Sequence, residues 1–242
     1  MKQALAASTV HRVLTRYKIA RLAHLDRATG RVVRRVVRRY VHAAPGDLVH
    51  VDIKKLGNIP DGGGHKIHGR AVGNRNNTRS APITNNSTGK RAKLGYAYLH
   101  NAVDDYSRLA YTEILPDETK HTAAAFWTRA QAFFATAGIT VQRVLTDNGS
   151  CYRSHLWRDT LAQAGITHKR TRPYRPQTNG KVKRFNRTLM DEWAYAQPYQ
   201  SETERRAALP GWLHHYNHHR GHTALKGLPP ASHVPNLSGQ YN

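Results

Sequence analysis

From Asp47 to Trp193 the chain alternates strand-like and helix-like stretches, and that order limits the fold more than any other feature. Asp47 to Ile53 alternates apolar and polar side chains with the period of two that a half-buried strand requires. Two further strand-like runs, Tyr96 to Val103 and Leu109 to Leu115, are joined by Asp104-Asp105-Tyr106-Ser107-Arg108, whose turn chemistry makes them a hairpin. A helix is predicted from about His121 to Ala135, where Ala124, Phe126, Trp127, Ala130, Phe133 and Phe134 give a broad apolar face, ended at Gly138. A short strand, Val141 to Leu145, runs into Thr146-Asp147-Asn148-Gly149. Then come a helix over His155 to Ala164, a strand over Thr167 to Thr171, and a long helix opened by Thr178 or Asn179 and running through Trp193. This is the order of a mixed sheet with helices on its faces, so the fold class is α/β.

The flanks differ in composition. Ser8 is placed to cap a short helix carrying Val10, Val13, Leu14 and Tyr17 at helical spacing, with His11, Arg12, Arg16 and Lys18 among them. Such a helix suits the second half of a helix-turn-helix, and residues 1–25 are read as a remnant of that module; a plain amphipathic helix is the competing reading. Residues 26–45 form a basic linker with Arg31, Arg34, Arg35, Arg38 and Arg39, closed by Pro45-Gly46. The core is assigned to 46–200. Within it, 57–92 is rich in Gly, Asn, Ser and Thr and is expected to be an inserted flexible loop, with Gly62-Gly63-Gly64 supplying flexibility rather than a phosphate cradle. Residues 201–242 form a basic helical tail.

Charge then selects the partner. Lysine and arginine number 38 against 15 acids, a formal +23 spread through the whole chain, and the polyanion that most often balances such an excess is nucleic acid. The single cysteine, Cys151, excludes a disulfide framework and fits a reducing compartment. No uncharged apolar run is long enough to span a bilayer. The expected location is cytoplasmic, on intracellular DNA.

Two acids stand where chemistry is expected. Asp52 lies within the first strand, on the face opposite Val51 and Ile53, and Asp147 ends a later strand before an Asn-Gly turn. A mixed sheet can set them side by side, and two carboxylates in one cleft call for a divalent cation. Taken singly, each has a plainer role: Asp147 as a turn cap, Asp52 as a partner for Lys54. Around them Arg170, Arg172, Arg175, Lys181, Arg184 and Arg187, with Tyr174 and Phe185 interleaved, form a basic rim suited to phosphates, and Arg34, Arg35, Arg38 and Arg39 add to it. His214, His215, His218, His219 and His222 include pairs four apart, as zinc ligands on a helix can be. With no cysteine or acid among them, they are read as a DNA-facing or solvated helix.

The motifs in order resemble one family. His50-Val51-Asp52-Ile53-Lys54-Lys55-Leu56-Gly57, followed by Ile59-Pro60-Asp61-Gly62-Gly63-Gly64-His65, is similar to the opening of the catalytic core in the IS481 family of bacterial transposases, ribonuclease H-like relatives of retroviral integrase. Val103 to Arg108 resembles that core's hairpin, Leu145 to Ser150 its second catalytic aspartate, and Arg172 to Val182 the approach to its third acid. Trp212, Tyr216-Asn217 and Arg220 through Pro229 are similar to the family's C-terminal end. The resemblance implies that Asp52 and Asp147 are catalytic and hold Mg²⁺ or Mn²⁺, two ions in an active form. It implies metal-dependent cleavage of transposon ends and strand transfer into target DNA, by a homo-oligomer assembled on terminal repeats. Asp104 and Asp105 match the hairpin motif and are set aside.

The chain departs from the pattern at position 183, where the third acid, a glutamate, is expected and Lys183 stands. With 183 − 147 = 36, thirty-five residues intervene, the spacing typical of such cores. A protonated lysine has three donors and no acceptor, so it cannot ligate a metal. Asp191 and Glu192 lie about eight residues on, roughly 12 Å along a helix axis, too far to substitute. Catalysis is expected to be severely impaired, leaving a DNA-binding protein as the alternative reading. Two lesser departures are the reduced helix-turn-helix and Gly221, where the pattern has proline.

Overall fold

The computed structural model describes residues 6–19, 41–85, 90–91, 93–171 and 179–236. The chain divides into two units, residues 1–40 and 41–242. In the first, α1 (Ala7–Arg16) is amphipathic; its N-cap is Ala6, which makes no side-chain hydrogen bond, so Ser8 sits inside the first turn instead of capping it.

The second unit is built on β1 (Val49–Gly57), which is longer than its alternating sequence announces. Alternation stops at Lys54-Lys55, but pairing does not: β1 runs antiparallel to β4 (Tyr96–Asp104) from Val49↔Asp104 to Gly57↔Tyr96. Lys55 extends over the rings of Tyr96 and Tyr98, 5.2 and 4.8 Å from their centroids, so its stem covers the outer end of the ribbon. Between these strands lie α2 (His65–Ser80) and a small ladder of β2 (Ile83–Asn85) with β3 (Lys90–Arg91). Where a flexible loop is expected, the chain thus forms a sixteen-residue helix, kinked at Gly69 (φ 74°).

β4 pairs with β5 (Ala110–Leu115) through the expected hairpin, and Arg108 at its tip takes a left-handed φ of 66°. After α3 (Lys120–Thr136) come β6 (Arg143–Thr146), α4 (His155–Gln163) and β7 (Thr167–Arg170). β6 pairs parallel with both β1 and β7, giving the order β5-β4-β1-β6-β7. Hydroxyls start the helices: Thr119 accepts from Thr122 N at α3, and Ser154 from Trp157 N at α4. Both helices cover one face of the sheet, where Val49, Val51 and Val144 meet Phe126, Trp127, Phe134, Trp157 and Leu161.

The opposite face is covered by α5 (Gly180–Leu189) and the tail helix α7 (Leu209–His218), which follows α6 (Glu202–Ala207). Val182, Phe185, Asn186 and Leu189 are the buried positions of α5, one stripe at helical spacing, and they meet Leu56, Ala97, Leu99, Trp193 and Tyr216. The tail is therefore part of the core. Asn217 bridges the outer strand, accepting from Ala110 N (2.9 Å) and donating to Ala110 O (2.8 Å) as a neighbouring strand would. At Gly221 a Cβ would stand 2.6 Å from Gly227 O, so glycine here answers a close approach of backbone.

Candidate active site

Strand register brings the two aspartates together. β1 and β6 align Val49 with Val144 and His50 with Leu145. The offset is 144 − 49 = 95, and 147 − 52 is also 95. Carrying the parallel register two residues past the ladder sets Asp147 beside Asp52 on the neighbouring strand, on the same face. The charges agree: burial first, then the Asp147 carboxylate, push the Asp52 carboxyl up to about 6. Lys183 and a hydrogen bond from Asn186 oppose that rise, and Lys54 does so more weakly. The Asp52 carboxyl thus lies within electrostatic reach of both Asp147 and Lys183. Lys54 makes no dominant pair with Asp52.

Local chemistry aims each side chain. Asp147 Oδ1 accepts from Gly149 N (2.8 Å), and a Cβ on Gly149 would come within 3.1 Å of that oxygen, so the Asn-Gly turn closes tightly behind the carboxylate. Asn148 Nδ2 donates to Thr171 O (2.9 Å), tying the turn to the end of β7. Asp52 is held from the helix side. Asn186 Nδ2 donates to Asp52 Oδ2 (2.8 Å), Asn101 Nδ2 to Asn186 Oδ1 (2.9 Å), and Thr112 Oγ1 to Asn101 Oδ1 (2.8 Å). This relay crosses α5, β4 and β5 and fixes which oxygen of Asp52 remains for chemistry. Asn101 and Asn186 are not among the sequence candidates. The signal was available: Asn186 is three residues after Lys183, on the adjacent turn of the helix.

Lys183 is exposed, since the packing stripe of α5 lies on its other side. Its charge acts on Asp52 across the mouth of the site. Asp191 and Glu192 belong to a π-turn, Met190–Ala194, and Glu192 gives both oxygens to Arg220 (2.6 and 2.7 Å) instead of to the site.

A second polar cluster lies behind the site. His50, on the Asp52 face of β1, places Nε2 2.7 Å from Asp105 Oδ1 and Nδ1 2.9 Å from Asn179 Oδ1. Lys181 Nζ donates to the same Asp105 oxygen at 2.5 Å, and His42 N donates to Oδ2 at 2.8 Å. Burial alone would raise Asp105, but these donors outweigh it and hold the carboxyl well below the usual range. Asp105 therefore anchors the start of α5, and Lys181, expected on the basic rim, is ion-paired inside. Asp104 serves the hairpin turn, accepting from Gly46 N, Tyr106 N, Ser107 N and Ser107 Oγ.

Of the other basic candidates, Arg170, Arg184 and Arg187 are exposed, as a rim requires. Arg172, Arg175, Arg34, Arg35, Arg38 and Arg39 lie outside the described residues. The α7 histidines associate with one another; His214 stacks on His218 at 4.6 Å, and its Nε2 is 3.2 Å from that of His219.

The donor set decides what the site can hold. Among the described residues, no three or more His, Cys, Asp or Glu side chains are arranged to hold a metal ion. Two carboxylates and an ammonium do not fit the two-ion centre that the sequence resemblance implies, because the third donor is a cation. Also among the described residues, no helix is long and apolar enough to cross a membrane.

Comparison with known proteins agrees with this architecture. The integrase core domain family matches residues 42–176, and a second profile of the same description matches 164–230. An uncharacterized 39.2 kDa protein of insertion element IS476 from Xanthomonas euvesicatoria is 31% identical over 97 residues, 40% of this chain and 28% of that protein. The retrovirus-related Pol polyprotein from transposon TNT 1-94 of Nicotiana tabacum is 31% identical over 99 residues, 40% of this chain and 7% of that protein. The chain thus spans less than a third of the length of these relatives. The HTLV-2 integrase catalytic core, solved with magnesium in a trimeric form, superposes with a TM-score of 0.52 at 14% identity, covering 79% of this chain and 98% of that one. A chain of the simian T-cell lymphotropic virus intasome gives 0.56 at 18% identity, covering 93% and 72%. The fold is the ribonuclease H-like integrase core, and with more than half of its length matched by one family profile, this chain belongs to the integrase core domain family.

Proposed function

We propose that the chain is a transposase-type DNA recombination protein, of the IS481 kind, whose cleavage and strand-transfer chemistry is disabled at position 183. The observation that carries this reading is the ammonium of Lys183 acting on Asp52 beside Asp147. A cation at the third position relieves the repulsion between the two carboxylates without offering an oxygen to a metal. What remains is a folded core with two aligned aspartates and a strongly basic surface, fit to bind DNA through phosphates in a salt-dependent, largely sequence-independent way. Binding transposon ends and target DNA as a homo-oligomer belongs to the same reading, supported by the trimeric and intasome assemblies of the structural relatives. A strictly monomeric complex at DNA saturation counts against that part.

The test compares the chain with Lys183→Glu and with Lys183→Glu combined with Asp147→Ala. Mn²⁺ binding is followed by titration calorimetry, and nicking of duplex DNA in Mg²⁺ or Mn²⁺ by gel. Lys183→Glu is expected to gain both, the double variant to lose both, and the unaltered chain to show neither. Metal-dependent nicking by the unaltered chain refutes the proposed role of Lys183.

A further inference from the structure

We propose that α2 is a second DNA-phosphate contact, separate from the Asp52–Asp147 cleft, with Arg75 and Arg79 as its contacting groups. The inference rests on the DNA reading above and adds a site to it.

The helix buries little of itself. Gly73 is its only buried residue, and the other positions, including Lys66, Arg70, Arg75 and Arg79, are exposed or half-buried. Ile67 and Val72 are half-buried, and the remaining surface of the helix is polar and faces solvent or a polar partner. Its charge has one sign: no acid occurs between Asp61 and Asp104, while Lys66, Arg70, Arg75, Arg79, Lys90, Arg91 and Lys93 fall in that interval. A solvated face with no partner ordinarily mixes signs.

The arm is nevertheless built. Asn76 Nδ2 donates to Gly62 O (3.0 Å) and Gly63 O (2.9 Å), and Asp61 N donates to Ser80 Oγ (2.9 Å). Gly63 N donates to Gln200 O (2.8 Å), and Lys66 Nζ stands 3.6 Å from the Tyr195 ring centre, fastening the arm to the segment before α6. At the kink the two halves fold against each other, so that a Cβ on Gly73 would lie 2.4 Å from His65 N. Along the second half, Asn74, Arg75, Thr78 and Arg79 line an open groove of about 410 Å³. The Thr78 hydroxyl donates to Asn74 O (3.0 Å); the two guanidiniums and the Asn74 amide are groups that phosphate oxygens accept from, and no carboxylate lines the groove.

Position completes the argument. Asp147 follows the C-terminal end of β6, and α2 follows the C-terminal end of the parallel strand β1, so both lie at one end of the sheet. From Asp52 to Gly57 is five residues of strand, roughly 17 Å. At about 3.4 Å per base pair, that distance equals about five base pairs of duplex.

The test is fluorescence anisotropy of the full chain on a duplex of arbitrary sequence, across a series of salt concentrations. Wild type is compared with Arg75→Gln/Arg79→Gln, with Arg75→Lys/Arg79→Lys, and with Arg184→Gln/Arg187→Gln near the cleft. Circular dichroism melting confirms that each variant folds. Two lost phosphate contacts lower the slope of log K against log salt by about 1.8, and with curves converging near 1 M salt they weaken binding about 30-fold at about 0.15 M. The lysine variant, keeping the charge, is expected to retain most of the affinity. A glutamine variant of α2 with wild-type slope and affinity overturns the arm while the DNA reading stands. Failure of wild type to bind the duplex overturns both.

Discussion

Asp52→Asn is expected to stabilise the protein at neutral pH and to leave it unchanged in acid. Burial and the neighbouring Asp147 carboxylate push the Asp52 carboxyl from 3.8 to about 6, beyond what Lys183 and Asn186 recover. A carboxyl with a raised folded-state pKa holds its proton more tightly folded than unfolded. The stability lent by that proton is full below about pH 4, falls as pH rises from about 4 to 6, and is gone above. At about 1.4 kcal/mol per pKa unit, the ionised side chain costs the fold about 3 kcal/mol at pH 8. Asparagine removes the charge, keeps the shape, and retains a carbonyl that can accept from Asn186 Nδ2. The expected gain is up to about 3 kcal/mol at pH 8, shrinking toward zero near pH 4. Urea denaturation of both proteins at intervals from about pH 4 to pH 8 measures it. A variant no more stable than wild type at pH 8, or a gain that does not vary with pH, refutes the reasoning.

Two further variants carry expected outcomes. Asp105→Asn leaves His50 and Lys181 without their shared carboxylate, and about 3 kcal/mol of stability is lost at neutral pH. Because the Asp105 carboxyl is held low, its contribution is present above the unfolded value near 4 and is lost as pH falls through its depressed folded value; wild type and variant converge there in denaturation curves. Asn217→Ala removes both bonds to Ala110 on the outer strand and costs about 2 kcal/mol, read from the urea midpoint. The variant is also expected to aggregate faster on warming, measured by light scattering, because its outer strand is uncovered.

The core was legible because its signals are local. Period-two and period-3.6 patterns placed β4, β5, α3, β6, α4 and β7 within a residue or two, and Asp52 within its strand and Asp147 just after another were the acids that stood out. What escaped depends on contacts across the chain. β1 runs on to Gly57 because β4 pairs with it, although Lys54-Lys55 interrupts its pattern. α2 has no apolar period and carries Gly69 and Gly73, so propensity argues against it; Asn76, Ser80 and Lys66 hold it through partners outside the helix. Asp105 sits in a hairpin motif beside Asp104, and adjacency hid that the two serve different ends: one closes the turn, the other ties β1 to α5. Ser8 shows the opposite error, a good capping residue placed two residues too deep to cap.

Position 183 sets stability against chemistry. The packing residues of α5 are Val182, Phe185, Asn186 and Leu189, so the helix docks through a stripe that leaves 183 outside it. No core contact selects the side chain there, and its charge lowers the Asp52 carboxyl. A glutamate at this point places a third negative charge beside a carboxyl already pushed up to about 6, and only a bound cation makes that arrangement favourable. A lysine supplies the cation covalently. It lowers the Asp52 carboxyl whatever the metal concentration and offers no oxygen to a metal. The same electrostatics that make three carboxylates a good metal site therefore make lysine the favoured residue for a fold that holds no metal, and the aspartates can persist unaltered beside it.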